Sequence, residues 1–320
     1  HWVPSTRIRL RQLQPALAAA GFESRLHAVP RDRSDRARFA AGVAPGDIVV
    51  VHRARPDATL ARFWKSLDAP LVFDFDDAIM FGRKTGARGA LERVTRRRGF
   101  ERMLRVCDAV TPGNAFLAEH CGRFPGPREI LPSAVPIDVP RHAGRGDGPL
   151  RVGWVGRSSN LRYVRPLAEA LRRASRQQPL QLVVVSDAPL ELAGVDTPFV
   201  PWSASGEAAA VAGCDVGIMP LALEGPWSRG KCAYKLLQYM ACGVPVIASD
   251  VGVNAGIVDG GAAGLLAPDD GWADALRSLA EDRERARELG ALGRTRVEIA
   301  YSTYALGPAY AAALRECAAT

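Results

Sequence analysis

Three groups of residues in this 320-residue chain have types and spacings suited to chemistry. The first lies in GKCAYKLLQYMACGVPVIASD, residues 230–250. Its apolar spacing predicts a short helix that starts at Gly230, stops at Cys242-Gly243 and runs into a buried strand over Val244 to Ala248. Glycine readily takes the left-handed conformation that closes a helix, and Pro245 cannot continue one. Lys231, Lys235 and Gln238 fall at i, i+4 and i+7 and so share one helix face. Ala233, Leu236, Leu237, Met240 and Ala241 fill the packed side. Two lysines and an amide near the free N–H groups of a helix start can hold an anion. The alternative is an ordinary α/β junction with solvated lysines. The second group is VGWVGRSSN, residues 152–160, a strand ending in Gly156-Arg157-Ser158-Ser159 and opening a helix. Glycine there permits close approach of backbone to a phosphate, and Arg157 can bind one in a bidentate way. A plain strand-to-helix turn fits the same residues. The third is VFDFDDAI, with Asp74, Asp76 and Asp77 at the end of a strand. Closely spaced carboxylates suit a metal or an acid–base pair, or a cap on the next helix. Asp74 is the least suited of the three to reach a ligand if the strand includes it.

The 230–250 segment resembles the donor-binding motif of glycosyltransferase family 4, retaining enzymes of the GT-B fold. Members often read as Lys, two or three residues, Glu or Gln, then Tyr-Met-Ala-x-Gly-x-Pro-Val, and here those places hold Lys235, Gln238 and Tyr239 to Val246. The resemblance implies that Lys235 meets the diphosphate of a nucleotide-sugar and that Gln238 meets its ribose. Gly156, Arg157, Lys231 and Leu236 join the donor-binding set, with the basic members neutralising charge on the leaving diphosphate. Ser186 and Trp202 lie at strand ends that frame the base in the family. Trp202 either stacks on a base or packs under a loop. Glu224 and Trp227 fall in the loop facing the donor sugar. Asp76, Asp77 and Asn114 are implied as the catalytic, acceptor-side residues, although Asn114 also fits a helix N-cap. The Ser5-Thr6-Arg7 loop resembles a Ser-x-Arg segment of the family. Two departures stand out. Gln238 replaces the commoner Glu and accepts a hydrogen bond through one uncharged oxygen. Gly230 stands where a second Glu is usual.

The fold implied is α/β of the GT-B class, two Rossmann-like domains with parallel sheets facing a central cleft. The domains expected are an acceptor domain over 1–140 and a donor domain over 150–300. A C-terminal helix in 301–320 crosses back to the first domain. Residues 139–149, rich in Gly, Pro and charge, read as the linker. Family members open with a short strand before the Ser-x-Arg loop, so the first strand is expected to be missing here. The reaction implied is transfer of a hexosyl-type sugar from a nucleotide diphosphate-sugar to an acceptor hydroxyl with retention. It needs no cofactor and no metal, and it belongs to polysaccharide, glycolipid or other glycoconjugate biosynthesis. The acceptor would be a saccharide, a lipid-linked group or a small molecule. The rival readings are a nucleotide-sugar 2-epimerase and a non-catalytic nucleotide-sugar-binding protein. A dinucleotide-dependent oxidoreductase lacks its G-x-G-x-x-G fingerprint.

The elements that must position these groups alternate along the chain. Strand-like runs are Asp47 to His52, Leu71 to Asp74, Ala109 to Thr111, Glu129 to Leu131, Arg151 to Val155, Leu182 to Val185 and Asp215 to Met219. Helical patterns cover Arg9 to Ala20, Pro56 to Leu67, Leu91 to Cys107, Asn114 to Cys121, Tyr163 to Arg173 and Tyr304 to Cys317. Such alternation argues for parallel sheets with helices on both faces. The net charge of +8 admits nucleic acid, an anionic membrane or a phosphorylated ligand as partner. No finger spacing or aromatic-interleaved basic motif favours nucleic acid. Residues 83–105 hold nine Arg or Lys against two Glu. With Leu91, Val94, Met103, Leu104 and Cys107 as a buried stripe, the basic face is either solvated or a peripheral contact for an anionic membrane. The six scattered cysteines read as reduced core residues of a cytoplasmic protein, peripheral at the inner membrane face if that contact forms. His52, His120 and His142 lack partner spacing for a triad or a metal. His52 ends a strand and so stays a candidate for a site at the strand ends.

Overall fold

A computed structural model describes residues 4–82, 86–144, 146, 148–222 and 225–319, the side chains of 86–88 aside. The chain forms two compact units. One is His1–Ala134 with Arg229–Cys232 and Thr303–Thr320, and the other is Val135–Ser228 with Ala233–Ser302.

The first unit is built on a parallel sheet of β1 (Val49–His52), β2 (Leu71–Phe75) and β3 (Ala109–Pro112), in that spatial order. β2 is buried along its whole length, as a central parallel strand should be. Register pairs His52 with Asp74 and Asp74 with Thr111, so three polar side chains form one row across the sheet's carboxyl end. Asp32, Asp57 and Asn114 each cap a helix by accepting from the backbone N–H three residues on. The C-terminal helix Thr303–Ala319 belongs to this unit. Its Tyr310 and Ala313 pack with Leu13, Leu131 and Ala134, and its Cys317 packs with Val72 and Ala109.

Three expectations fail here. The helix over Arg9 to Ala20 is broken into Pro4–Arg9, a 3₁₀ turn at Arg11–Leu13 and Gln14–Ala19, because Pro15 has no N–H to carry a continuous helix. Glu129 to Leu131 is not a strand. It runs beside β3 through Glu129 N–H to Val110 O (3.1 Å) and Leu131 N–H to Pro112 O (3.0 Å), between Pro127 and Pro132, which donate nothing. On the basic helix Gly86–Val106, Met103 and Cys107 are buried as expected, but Leu91 is 70% and Val94 46% exposed. A 21-residue helix is about 30 Å long. The five-residue strand β2 under it spans about 17 Å. Only the C-terminal half, through Phe100 on Phe73 and Phe75, therefore meets the sheet.

The second unit carries six parallel strands in the order β6-β5-β4-β7-β8-β9. These are β4 (Leu150–Val155), β5 (Leu180–Ser186), β6 (Phe199–Pro201), β7 (Val216–Met219), β8 (Val246–Ser249) and β9 (Leu265–Ala267). Alternate residues feed two cores. Val152, Trp154, Leu182 and Val184 enter one, and Val155, Val183 and Val185 enter the other. Pro201 sits on the edge strand, where its missing N–H costs no ladder bond. Gly217 has no side chain because the Tyr239 ring occupies the place of its Cβ.

All six cysteines are buried and none is in a disulfide. Among the described residues no helix is long and apolar enough to cross a membrane.

Candidate functional site

The helix Tyr234–Ala241 ends as its sequence predicts. Gly243 stands at φ +74°, its N–H bonds Met240 O (2.9 Å), and Val244 N–H bonds Tyr239 O (3.0 Å), which is the Schellman pattern. Its start does not follow the prediction. Ala233 takes a left-handed φ of +49°, and residues 229–232 leave the helix path. They pack instead on the first unit. A Cβ at Gly230 would stand 2.6 Å from Ala78 Cβ and 3.2 Å from Leu117 Cδ2. Asn114 Nδ2 donates to Lys231 O at 3.3 Å, and Cys232 Sγ fills the space that a side chain on Gly113 would need. Lys231 and Lys235 thus share no helix face. Lys231 Nζ lies 3.9 Å from Asp77 Oδ1 in the first unit, while Lys235 belongs to the second.

Lys235 does meet the end of β4. Its ammonium lies 5.6 Å from the Trp154 ring centroid, within cation–π range. A Cβ on Gly156, whose φ is +157°, would come within 2.7 Å of Lys235 Cε and 3.1 Å of its Nζ. Glycine is what lets the lysine lie against the backbone. Leu236 is fully buried in the core behind this helix, so its side chain offers nothing to a ligand. Periodicity already put that side chain on the packed side. Gln238 is half-buried on the same helix as Lys235.

The turn after β4 also differs from a free phosphate cradle. Asp187 Oδ1 accepts from Ser158 N–H at 2.6 Å, and that bond holds its carboxyl below the usual carboxylate range. The segment Ser158–Tyr163 is a 3₁₀ helix, and Arg157 before it is exposed. Ser186 is buried and donates to the same Asp187 oxygen at 3.2 Å. Trp202 is 40% exposed, and its indole N–H is anchored to Glu207 at 2.8 Å. Trp227 is half-buried in the short helix Pro226–Arg229. Glu224 lies outside the described residues.

In the first unit the strand-end row becomes a buried polar cluster. Arg9 donates to Asp74 through Nη2 (2.5 Å) and Nε (3.2 Å), and Thr111 Oγ1 adds a bond at 2.8 Å. His52 Nδ1 lies 2.7 Å from Asp74 Oδ2. Burial alone would raise the Asp74 carboxyl, but Arg9 and His52 outweigh it and hold it well below the usual carboxylate range. Arg53, the next residue, has a left-handed φ of +55°, a strained conformation for a non-glycine. Its guanidinium bonds Asp77 at 3.0 Å and stands 3.5 Å from Asp76 Oδ1. Asp76, Asp77, Asn114 and Lys231 therefore come together, with Asn114 serving as the cap of Ala115–Glu119 as well. Ser5 and Thr6 are buried in the first helix of this unit. The sequence reading missed Arg9 and Arg53, and it kept His52 as a strand-end candidate without finding its partner. The signal was available in the aligned strand ends VVVH, LVFDF and AVTP, whose parallel register puts residues 52, 74 and 111 side by side.

Residues 149–282 match the family model described as glycosyl transferases group 1. Over those residues the chain is similar to that family. Solved structures extend the likeness over nearly the whole chain. Sucrose-phosphate synthase from Thermosynechococcus elongatus superposes with a TM-score of 0.69 at 19% identity, over 96% of this chain and 92% of that one. Anabaena HepE, solved with UDP and glucose, gives 0.65 at 13% identity, over 92% and 84%. The α,α-trehalose 6-phosphate synthase of Burkholderia multivorans gives 0.60 at 16%, over 96% and 79%. At these identities the likeness is one of fold, and that fold is the GT-B fold of glycosyltransferases. No curated protein matches by sequence.

Proposed function

We propose that the protein transfers a sugar from a nucleotide diphosphate-sugar to an acceptor hydroxyl, with retention of configuration and without a metal ion. The observation that carries this reading is the contact of Lys235 with Gly156 at the carboxyl end of β4, inside the segment that matches the glycosyltransferase model. A cation held against glycine backbone at a strand end suits a diphosphate, and charge there stabilises the leaving group as the glycosidic bond breaks. Gln238, one helical turn from Lys235, is placed to reach a nucleotide ribose, and the exposed face of Trp202 to meet a base. Arg157 supplies further positive charge. HepE was solved with UDP and glucose, which makes UDP-glucose the first donor to test.

Asp76, Asp77, Asn114 and Lys231 serve the acceptor side. The acceptor is a saccharide, a lipid-linked group or another small molecule. For a lipid-linked one, the basic helix with exposed Leu91 and Val94 is the surface that would meet an anionic membrane.

The decisive experiment follows UDP release from UDP-sugars, with and without a panel of acceptors. Lys235→Ala should abolish acceptor-dependent release at an unchanged circular dichroism spectrum and melting temperature. Near-normal release by that variant contradicts the role given to Lys235. Conversion of the donor sugar in the absence of acceptor would instead favour epimerase chemistry.

A further inference from the structure

We infer that His52 Nε2 and Asp76 Oδ1 form a binding site for a hydroxyl group of a neutral saccharide or polyol. These two atoms are buried, have no hydrogen-bond partner within the protein and lie 3.9 Å apart. Their side chains are 4% and 11% exposed. Polar atoms buried to this degree nearly always have partners, so an unpaired pair facing each other calls for one. At that separation a single oxygen can stand within hydrogen-bond reach of both.

The rest of the cluster fixes what that group must be. Asp74 is ionised and accepts only, so His52 Nδ1 carries a proton and donates to it. Arg9 and Thr111 fix Asp74 in turn, which locks the imidazole so that Nε2 faces Asp76. When the imidazole is neutral, Nε2 and Asp76 both accept. When it is protonated, Nε2 donates and Asp76 accepts. A hydroxyl, with one proton to give and lone pairs to accept with, meets both atoms in the protonated state and one of them in the neutral state. A carbonyl cannot donate to Asp76, and an ammonium cannot accept from Nε2–H.

Charge leads to the same class of ligand. Asp74, Asp76 and Asp77 face Arg9, Arg53 and Lys231, three carboxylates against three cations. A balanced cluster has no surplus charge for an anion or a metal ion. Among the described residues no His, Cys, Asp and Glu side chains are grouped to hold a metal. Arg53 stands 3.5 Å from Asp76 Oδ1 and bonds Asp77 instead, so its hold on Asp76 is ionic and leaves the oxygen free to accept.

Under the proposed glycosyltransferase activity, the hydroxyl belongs to the acceptor. That last step rests on the activity, whereas the binding site itself does not. The test labels the five histidines with ¹⁵N and follows the imidazole resonances while methyl glycosides and glycerol are titrated in. His52→Asn, whose side-chain amide stands in for Nδ1 toward Asp74 and removes Nε2, assigns the His52 signals. We expect the Nε2 resonance to move with at least one glycoside in the wild type and not in Asp76→Asn. Both variants should keep the wild-type circular dichroism spectrum and the same stabilisation by UDP. In steady-state assays His52→Asn should raise the acceptor KM about tenfold, the effect of losing one hydrogen bond to a charged or polarised partner, and leave the donor KM unchanged. A His52 signal that no glycoside moves, or that moves equally in Asp76→Asn, overturns the inference. Unchanged acceptor KM in an active His52→Asn does so as well. If UDP fails to stabilise the wild type, it is the glycosyltransferase reading that falls, and the imidazole shifts still decide the hydroxyl site.

Discussion

Tyr239 joins the helix that carries Lys235 to the strand that ends at Gly156, and its hydroxyl can be removed with the loss of one atom. The side chain is fully buried. Its ring lies over Gly217 of β7, and its hydroxyl donates to Gly153 O (2.9 Å) and accepts from Val155 N–H (3.0 Å). β4 pairs with β7 only at Val152 and Gly153, so the phenol serves Val155 where the neighbouring strand does not. Burial raises the phenol's pKa well above its ordinary range, and the donor is present at any working pH. Tyr239→Phe keeps the ring and strands two buried backbone groups. Each such group costs about 1–3 kcal/mol, and partial relaxation of the strand end brings the pair to about 3 kcal/mol. For a unit of this size each kcal/mol moves the melting point by roughly 2–4 °C, so the variant should melt roughly 6–12 °C lower. Thermal melting by circular dichroism measures this directly. Gly156 follows Val155 immediately, so UDP should also bind more weakly, as read by titration calorimetry. Lys235→Ala supplies the contrast, because it weakens UDP binding at an unchanged melting point. A Tyr239→Phe melting point within about 1 °C of wild type would refute the hydrogen-bonding argument.

Two further outcomes follow from the same geometry. Asp74 has a folded-state pKa below its unfolded value. Its stabilising contribution is therefore complete above about pH 4 and is lost as the pH falls through the depressed value. Asp74→Asn should cost about 3–5 kcal/mol at neutral pH by leaving Arg9 buried without its partner. The gap in urea midpoint between wild type and variant should then narrow below about pH 4, and a gap that stays constant on acidification contradicts the pairing. Gly230→Glu, which places there the acidic residue usual in the motif that residues 230–250 resemble, should lower both activity and melting temperature, because Ala78 and Leu117 already fill the space. A gain in turnover would show that the segment 229–232 can leave this packing at little cost.

How far the sequence could be read depended on how local each determinant was. The closure of the helix at Gly243 and the strand runs of β2, β4 and β5 rest on neighbouring residues, and they stand where periodicity puts them. The contact of Lys235 with Gly156 bridges about 80 residues, yet each partner sits at the end of a legible element. Lys231 defeated the same reasoning. Helical spacing from 231 to 238 is intact, but packing of Gly230, Lys231 and Cys232 on Ala78, Asn114 and Gly113 bends the chain out of the helix at Ala233. Tertiary contacts outweighed propensity where the helix had no side-chain cap to fix its start. His52 shows the opposite limit. Its partner is 22 residues away, no sequence spacing announces the pair, and only the parallel register of β1 on β2 sets imidazole beside carboxylate. Register can be inferred from sequence once two strands are known to be adjacent and parallel, because their ends then align. A histidine that closes one strand and an aspartate near the close of the next are therefore worth pairing before either is dismissed, and the buried Nε2 of His52 is the feature such pairing would have exposed.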